Sequence, residues 1–303
     1  MTSPDGFVWT ARNTPYNNQW RSVVWSPQRS LFVVIGSCCG PGNRIMTSSA
    51  GTSFTLRSEP SNNQFVSATW SPQLGLFVAV SIWRHISGGR VMTSSNGVSW
   101  TIRSTPADLE WWGVTWSSDL GLFAAVSSTG SNFRVMTSSN GVSWTLRATP
   151  ADLQWQNVVW VSGLGIFVAV ARSGNGNQAM TSSNGLTWAL QSTPPFAMAW
   201  FRVAWSEELG VLVATAASGT HPDRVMTSRD GSHWEMQPTP AGTWTGVTWS
   251  PALVEQGQRR EGHRGPRKLD HVPTPESVLK ESGRRKRATH PERVGVFFLP
   301  LLF

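Results

Sequence analysis

The sequence predicts an all-β repeat protein built from four-stranded antiparallel units. Three observations carry that prediction. A block of eleven residues recurs almost unchanged, as Arg90-Val-Met-Thr-Ser-Ser-Asn-Gly-Val-Ser-Trp100 and Arg134-Val-Met-Thr-Ser-Ser-Asn-Gly-Val-Ser-Trp144. Its closing aromatic falls at Trp9, Phe54, Trp100, Trp144, Trp188 and Trp234, with spacings of 45, 46, 44, 44 and 46 residues. A second tryptophan keeps the same beat at Trp25, Trp70, Trp116, Trp160, Trp205 and Trp249. A period of this length marks a repeat architecture, in which one unit buries its apolar face only against the next.

Each unit opens on a strand of the form Trp-x-x-Val-x-Trp, as in Trp155-Gln-Asn-Val-Val-Trp160. Its alternation fits a strand with two distinct faces. The second strand is an apolar run, Gly75-Leu-Phe-Val-Ala-Val80, Gly121-Leu-Phe-Ala-Ala-Val126 or Gly165-Ile-Phe-Val-Ala-Val170. A run apolar on both faces belongs between stacked sheets. The third strand is Val-Met-Thr-Ser and the fourth Trp-Thr-x-Arg. Between them stand Asp5-Gly6, Ala50-Gly51, Asn96-Gly97, Asn140-Gly141, Asn184-Gly185 and Asp230-Gly231. Asn-Gly and Asp-Gly suit the two positive φ angles of a type I′ turn, so a two-residue hairpin is expected, with Ala50 its most strained copy. Pro15, Pro60, Pro106, Pro150, Pro194 and Pro240 follow the fourth strands. Proline has no N–H for a ladder, so it ends an outer edge strand.

Four short antiparallel strands per period are the signature of a propeller blade. A solenoid would need capping repeats with polar outer faces, and neither end of the chain has that character. A six-bladed β-propeller is therefore expected over residues 1–254, with its closing blade shared between the termini. Trp244-Thr-Gly-Val-Thr-Trp249 would be the first strand of that blade, and Met1–Ser3 and Trp9–Arg12 its outer two. Val294-Gly-Val-Phe-Phe-Leu299 matches the second-strand pattern and would pair through Val296 with Val247. On this reading residues 255–293 are looped out. On the alternative, the sequence from Leu253 onward is unrelated to the repeat, and residues 294–303 are part of that tail.

Composition changes sharply at the same place. Residues 1–254 hold 14 Arg and no Lys against 11 acids, whereas residues 255–293 hold 11 Lys plus Arg against 6 acids. The overall charge of +8 thus resides mostly in a segment without tryptophan, which reads as disordered. It contains Arg284-Arg-Lys-Arg287, a basic run of the kind that binds nucleic acid or acts as a localisation signal; a solvated tail is the reading taken. No apolar run approaches the ~18 residues of a spanning helix, so no membrane association is expected. Met1-Thr-Ser-Pro-Asp-Gly lies within a repeat, so no signal peptide is expected. The compartment is left open. Cys38 and Cys39 are adjacent and cannot staple distant segments, which points to free thiols.

The turn motif resembles the Asp-box (BNR) repeat of sialidase-like propellers. It reads Ser3-Pro-Asp-Gly-Phe-Val-Trp9 and Ser228-Arg-Asp-Gly-Ser-His-Trp234, with Asn in place of Asp in the three middle copies and one residue fewer between acid and tryptophan than the usual box. The resemblance covers residues 1–250. It implies that Asp5, Trp9, Asn96, Trp100, Asn140, Trp144, Asn184, Trp188, Asp230 and Trp234 are structural, on the face away from any active site. It also implies a choice between sialidase-type hydrolysis and non-catalytic binding.

Sialidases pair a Tyr nucleophile with a Glu and clamp a carboxylate with three arginines. This chain has one tyrosine, Tyr16, in a loop, and its arginines recur at repeat-equivalent positions. Arg12, Arg57, Arg103 and Arg147 end fourth strands; Arg44, Arg90, Arg134 and Arg224 begin third strands. Such arginines pack over tryptophan and hydrogen-bond along strand edges. The six histidines lack metal-ligand spacing, and no metal or cofactor is expected. The expected function is non-enzymatic: a binding or structural propeller recognising a protein or glycan, with a sialidase-like hydrolase as the alternative. The loops between second and third strands differ in every copy, and function concentrates on loops held by a rigid scaffold. Trp83, Arg84 and His85 form the richest cluster there, with Trp111, Trp112, Arg172, His221 and Asp223 as further candidates.

Overall fold

The computed structural model of the chain describes residues 1–3, 8–37, 42, 44–83, 89–249 and 297–298. The features expected at Asp5, Cys38, Cys39, Arg84, His85 and Arg284–Arg287 lie outside these residues, and so does the side chain of Trp83.

The chain is all-β, and five antiparallel sheets of four strands follow one another in sequence order. Sheet 1 holds β1 (Trp20–Ser26), β2 (Leu31–Gly36), β3 (Ile45–Ser48) and β4 (Thr55–Arg57). Sheet 2 holds β5 (Gln64–Ser71), β6 (Leu76–Trp83), β7 (Val91–Ser94) and β8 (Thr101–Arg103). Sheet 3 holds β9 (Trp111–Ser117), β10 (Leu122–Ser127), β11 (Val135–Ser138) and β12 (Thr145–Arg147). Sheet 4 holds β13 (Trp155–Val161), β14 (Ile166–Ala171), β15 (Ala179–Ser182) and β16 (Ala189–Gln191). Sheet 5 holds β17 (Met198–Ser206), β18 (Val211–Gly219), β19 (Val225–Ser228) and β20 (Glu235–Gln237). A sixth, partial sheet pairs β21 (Val247–Thr248) with β22 (Phe297–Phe298).

The apolar second strands are the core, as their pattern predicts. Phe77, Val78, Ala79 and Val80 of β6 are all fully buried. Consecutive sheets share hydrophobic clusters: Val78 and Val80 of sheet 2 pack with Trp111, Val114 and Phe123 of sheet 3. First strands touch first strands, in the succession β1, β5, β9, β13, β17, β21. Polar ties fix this stacking. The indole of Trp70 donates to Gln28 of the preceding sheet at 2.9 Å, and those of Trp116 and Trp160 donate to Gln73 and Asp119 at 2.8 and 3.1 Å. Within sheets, the fourth-strand arginines Arg57, Arg103 and Arg147 donate Nε to Thr47, Thr93 and Thr137 of the third strand at 2.8–2.9 Å. Third-strand arginines lean on the next sheet, as Arg134 does through the carbonyl of Leu153 at 2.8 Å.

The two-residue hairpin is corrected. β7 ends at Ser94 and β8 begins at Thr101, so six residues connect them. Gly97 has φ of +73°, but Asn96 does not have positive φ. Instead its Oδ1 accepts from the backbone N–H groups of Val98 and Ser99, both at 2.9 Å, while Ser94 Oγ accepts from Gly97 N at 2.8 Å. The indole of Trp100 closes the turn on the Gly97 carbonyl at 3.1 Å. The same set recurs at Asn140, Asn184 and Asp230. Ala50 is therefore not strained: Gly51 keeps a φ of +72° and its bond to Ser48 at 2.8 Å, and what this copy lacks is the side-chain acceptor and, with Phe54 in place of tryptophan, the indole bond. The glycine is required because the turn docks on the preceding sheet, where a Cβ on Gly141 would meet Leu76 at 2.8 Å. Trp100, Trp144, Trp188 and Trp234 are 7–9% exposed, but Trp9 is 42% exposed.

Pairing of the last strand is also corrected. Val247 pairs with Phe298 and Thr248 with Phe297; Val296 lies outside the described residues.

Candidate functional site

In every complete sheet the first strand carries a bulge, always one residue past its opening aromatic. Trp20 pairs with Gly36 and Ser22 with Ile35, which leaves Arg21 unmatched. Val66, Trp112, Gln156 and Phe201 are left out in the same way in sheets 2 to 5. A bulge bends its strand and re-aims the side chain of the extra residue, and such devices occur beside binding sites.

The flanks of the bulge are fixed by packing. Phe65, Trp111, Trp155 and Trp200, which precede it, are at most 1% exposed. The residue after it ties neighbouring first strands together: Ser22 Oγ accepts from Ala68 N, Ser67 Oγ from Val114 N and Asn157 Oδ1 from Val203 N, at 3.0–3.3 Å. In sheet 3 this position is Gly113, because a Cβ there would come within 2.9 Å of the β13 backbone at Asn157. The bulged residue differs in all five sheets, and in sheet 5 the residue after it, Arg202, bonds through its side chain to the Phe201 carbonyl.

Four of the five bulged residues, all but Gln156, line a cavity of about 420 Å³: Arg21, Val66, Trp112 and Phe201 stand there with Arg202 and Thr245, among others. The cavity opens at the end where second strands pass into the variable loops. Arg21 Nε donates to Ser37 Oγ at 3.0 Å and the Trp112 indole to Ser128 Oγ at 2.9 Å, and both serines begin such loops. Trp112 and Phe201 come from sheets 3 and 5, which are not neighbours, yet their rings meet edge-on with centroids 6.1 Å apart. Gln156 holds the equivalent place on the intervening sheet 4. It is fully buried, and neither its Oε1 nor its Nε2 has a hydrogen-bond partner among the described residues.

The cavity is electropositive. Burial, and then the nearby charge of Arg21, push the Arg202 guanidinium down to about 10, which leaves it charged at neutral pH. Burial also lowers Arg21. Among the described residues no carboxylate forms an ion pair with either arginine.

The candidates named from sequence are dispersed. Trp112 lies in this cavity. Trp111 is corrected: it is fully buried in the cluster between sheets 2 and 3 and presents no ring to a ligand. Arg172 is exposed at the end of sheet 4, its N–H bonded to the Gln154 carbonyl at 2.9 Å. His221 stacks on Phe196 at 4.3 Å and lies 3.7 Å from Asp223, whose carboxylate accepts from Thr239 N at 2.9 Å. Those contacts brace a loop. Tyr16 is exposed and outside the cavity lining. Sequence reading missed Arg21, Val66, Gln156, Phe201 and Arg202. The available signal was the second and third letters of Trp-x-x-Val-x-Trp, which vary while their neighbours repeat.

No family model and no curated protein matches the chain. Solved structures do. A streptogramin B lyase is similar with a TM-score of 0.66 at 12% identity, over 79% of this chain and 76% of that one. YCF48 bound to D1 peptide is similar with a TM-score of 0.54 at 16% identity, over 76% and 71%. The GH74 enzyme of Niastella koreensis is similar with a TM-score of 0.56 at 12% identity, over 72% of this chain and 38% of that one. At these identities the likeness shows the β-propeller fold. Among the described residues no helix is long and apolar enough to cross a membrane.

Proposed function

We propose that this chain is a six-bladed, non-enzymatic binding propeller that recognises a protein segment at its variable-loop face, centred on the cavity between Arg21, Trp112, Phe201 and Arg202. The repeated turns act as Asp-box-type structural elements at the opposite end. The observation that carries this reading is the bulged position itself. Arg, Val, Trp, Gln and Phe occupy it in successive sheets, while the residue before it is always a large aromatic, half-buried in sheet 1 and buried in sheets 2 to 5. A position needed only for packing would repeat as the aromatic before it does. Aromatic and arginine side chains are those that dominate binding energy at interfaces. The fold is compatible with this role, since the similar structure of YCF48 holds a peptide.

The test is affinity capture with three forms of the full chain: wild type, Trp112→Ala/Phe201→Ala, and Leu186→Ser. Leu186 is 46% exposed on a repeated turn and serves as the control for the opposite end. The expected result is one partner held by the wild type and the Leu186 variant and lost by the double variant at unchanged melting temperature. Retention by the double variant, or loss by the Leu186 variant alone, refutes the assignment of the face.

A further inference from the structure

Arg21 and Arg202 are the feature of this cavity that packing does not explain. A guanidinium has five N–H donors. Arg21 directs Nε to Ser37 at 3.0 Å and one Nη2 donor to Gln19 at 2.8 Å; Arg202 directs one Nη1 donor to the Phe201 carbonyl at 3.1 Å. The remaining donors are not engaged by carboxylates among the described residues. No residue lining the cavity is acidic. Glu110, the acid bonded closest to it, is spent on Ser128 at 2.9 Å, and it is that hydroxyl which receives the Trp112 indole. Two like charges sharing a partly buried cavity repel one another, and desolvation adds to the cost. Guanidinium groups bind carboxylate and phosphate through paired, planar N–H donors. The rest of the lining sets apolar and aromatic side chains beside the hydroxyl residues Ser22, Thr245 and Thr248. Val66 and Phe201 line the same cavity, Phe201 lies 5.7 Å from the Arg202 guanidinium, and Trp112 stands edge-on to Phe201.

We propose that Arg21 and Arg202 form an oxyanion subsite, taking a carboxylate or phosphate whose aromatic or aliphatic body lies against Trp112 and Phe201. This rests on the cavity being the binding site and adds the chemical class of the group bound there.

The experiment is isothermal titration of the full chain with four probes: N-acetylphenylalanine, its neutral amide, phenyl phosphate and inorganic phosphate. The expected result is at least tenfold tighter binding of one anionic aromatic probe than of the amide. That preference should shrink with added salt and vanish in Arg21→Gln and in Arg202→Gln. Preference for the carboxylate or for phenyl phosphate identifies the source of the oxyanion. Equal binding of acid and amide overturns the oxyanion subsite and leaves the cavity as an apolar site. Absence of binding by all four overturns the subsite, while the capture experiment with Trp112 and Phe201 variants still decides the face. Thermal unfolding provides a readout that does not depend on any probe. Relieved of the uncompensated charge, Arg202→Gln should melt at or above the wild-type temperature. A clearly lower melting temperature would make Arg202 a structural residue, against the proposal.

Discussion

Asp230 and His233 show what a single substitution in the repeat does. Asp230 stands where three other copies have Asn, and its Oδ1 accepts the same two backbone bonds, from Ser232 at 2.7 Å and His233 at 2.8 Å. Burial alone would raise its carboxyl. The His233 ring at 2.6 Å, both N–H groups and the Ser228 hydroxyl outweigh that and hold it well below the usual carboxylate range. The same hydrogen bond, with the charge of Asp230, raises His233 above the ordinary imidazole value. A raised histidine contributes stability that is fully present below its unfolded-state value and is lost as pH climbs through the folded one. Asp230→Asn should therefore return the NMR titration midpoint of His233 to the ordinary range. It should leave stability at pH 8 within about 0.5 kcal/mol of wild type, because Asn serves this turn elsewhere. An unmoved midpoint would contradict the pairing. Gln156 gives a second test at this scale. A buried amide without partners costs on the order of 1–3 kcal/mol, so Gln156→Met, nearly the same shape, should stabilise the fold by about 1 kcal/mol in denaturant titrations. A loss of stability would mean that the amide is satisfied.

At the scale of the element, the turn between third and fourth strands was legible in its position and wrong in its geometry. Asn-Gly predicts positive φ at glycine for a type I′ hairpin and for the observed six-residue turn alike. The difference lies in Ser94 and Asn96, whose side-chain oxygens replace a backbone bond and let the strands part sooner. Both residue types favour local bonds of this sort, so the serine two places before the Asn was the cue left unread. Two predictions follow from this geometry. Asn140→Ala deletes the acceptor for Val142 and Ser143, each at 2.9 Å, and should cost about 1 kcal/mol. Ala50→Asn should recover a similar amount, because Gly51 and Ser48 are already placed to receive it. Melting temperatures of the two variants should move in opposite directions, and a fall for Ala50→Asn would rule the account out. The bulges were not legible, because a bulge leaves no mark on the period of the aromatic residues. Only the change of residue type from Arg21 to Phe201 records it.

For the whole molecule the open matter is the seam between sheet 5 and sheet 1. Trp70 and Trp116 are 8% exposed under the preceding sheet, whereas Trp25 is 40% exposed and Val23 64%. In the proposed closing blade the N-terminal residues would supply the outer strands. Thr2 and Thr10 exchange backbone bonds at 2.9 and 2.8 Å, and Arg12 Nε donates to Thr2 Oγ1 at 2.9 Å, as Arg57 does to Thr47. A Cβ on Gly51 would have the Thr2 methyl at 3.8 Å, much as one on Gly231 would have that of Thr181 at 3.4 Å. On the far side β21 touches β17 and β18. The proposed closing blade thus needs its second strand between β21 and the Thr2–Thr10 pair. β22 pairs with β21, one residue out of step with the Trp–Phe match of sheets 1 to 4, such as Trp70 with Phe77. A slip of one residue exchanges the faces of a strand, so the segment can complete the core only in the other register. If it does so, deleting residues 294–303 should lower the melting temperature by at least about 4 °C, the shift that 1–2 kcal/mol gives in a domain of this size. Replacing residues 255–292 with a short linker should move it by less than about 2 °C, because long surface insertions carry little free-energy cost. Exposed edges invite aggregation, so the first deletion should also increase light scattering on heating. An unchanged melting temperature and lower scattering after the first deletion would show that the second strand of the blade does not come from this segment.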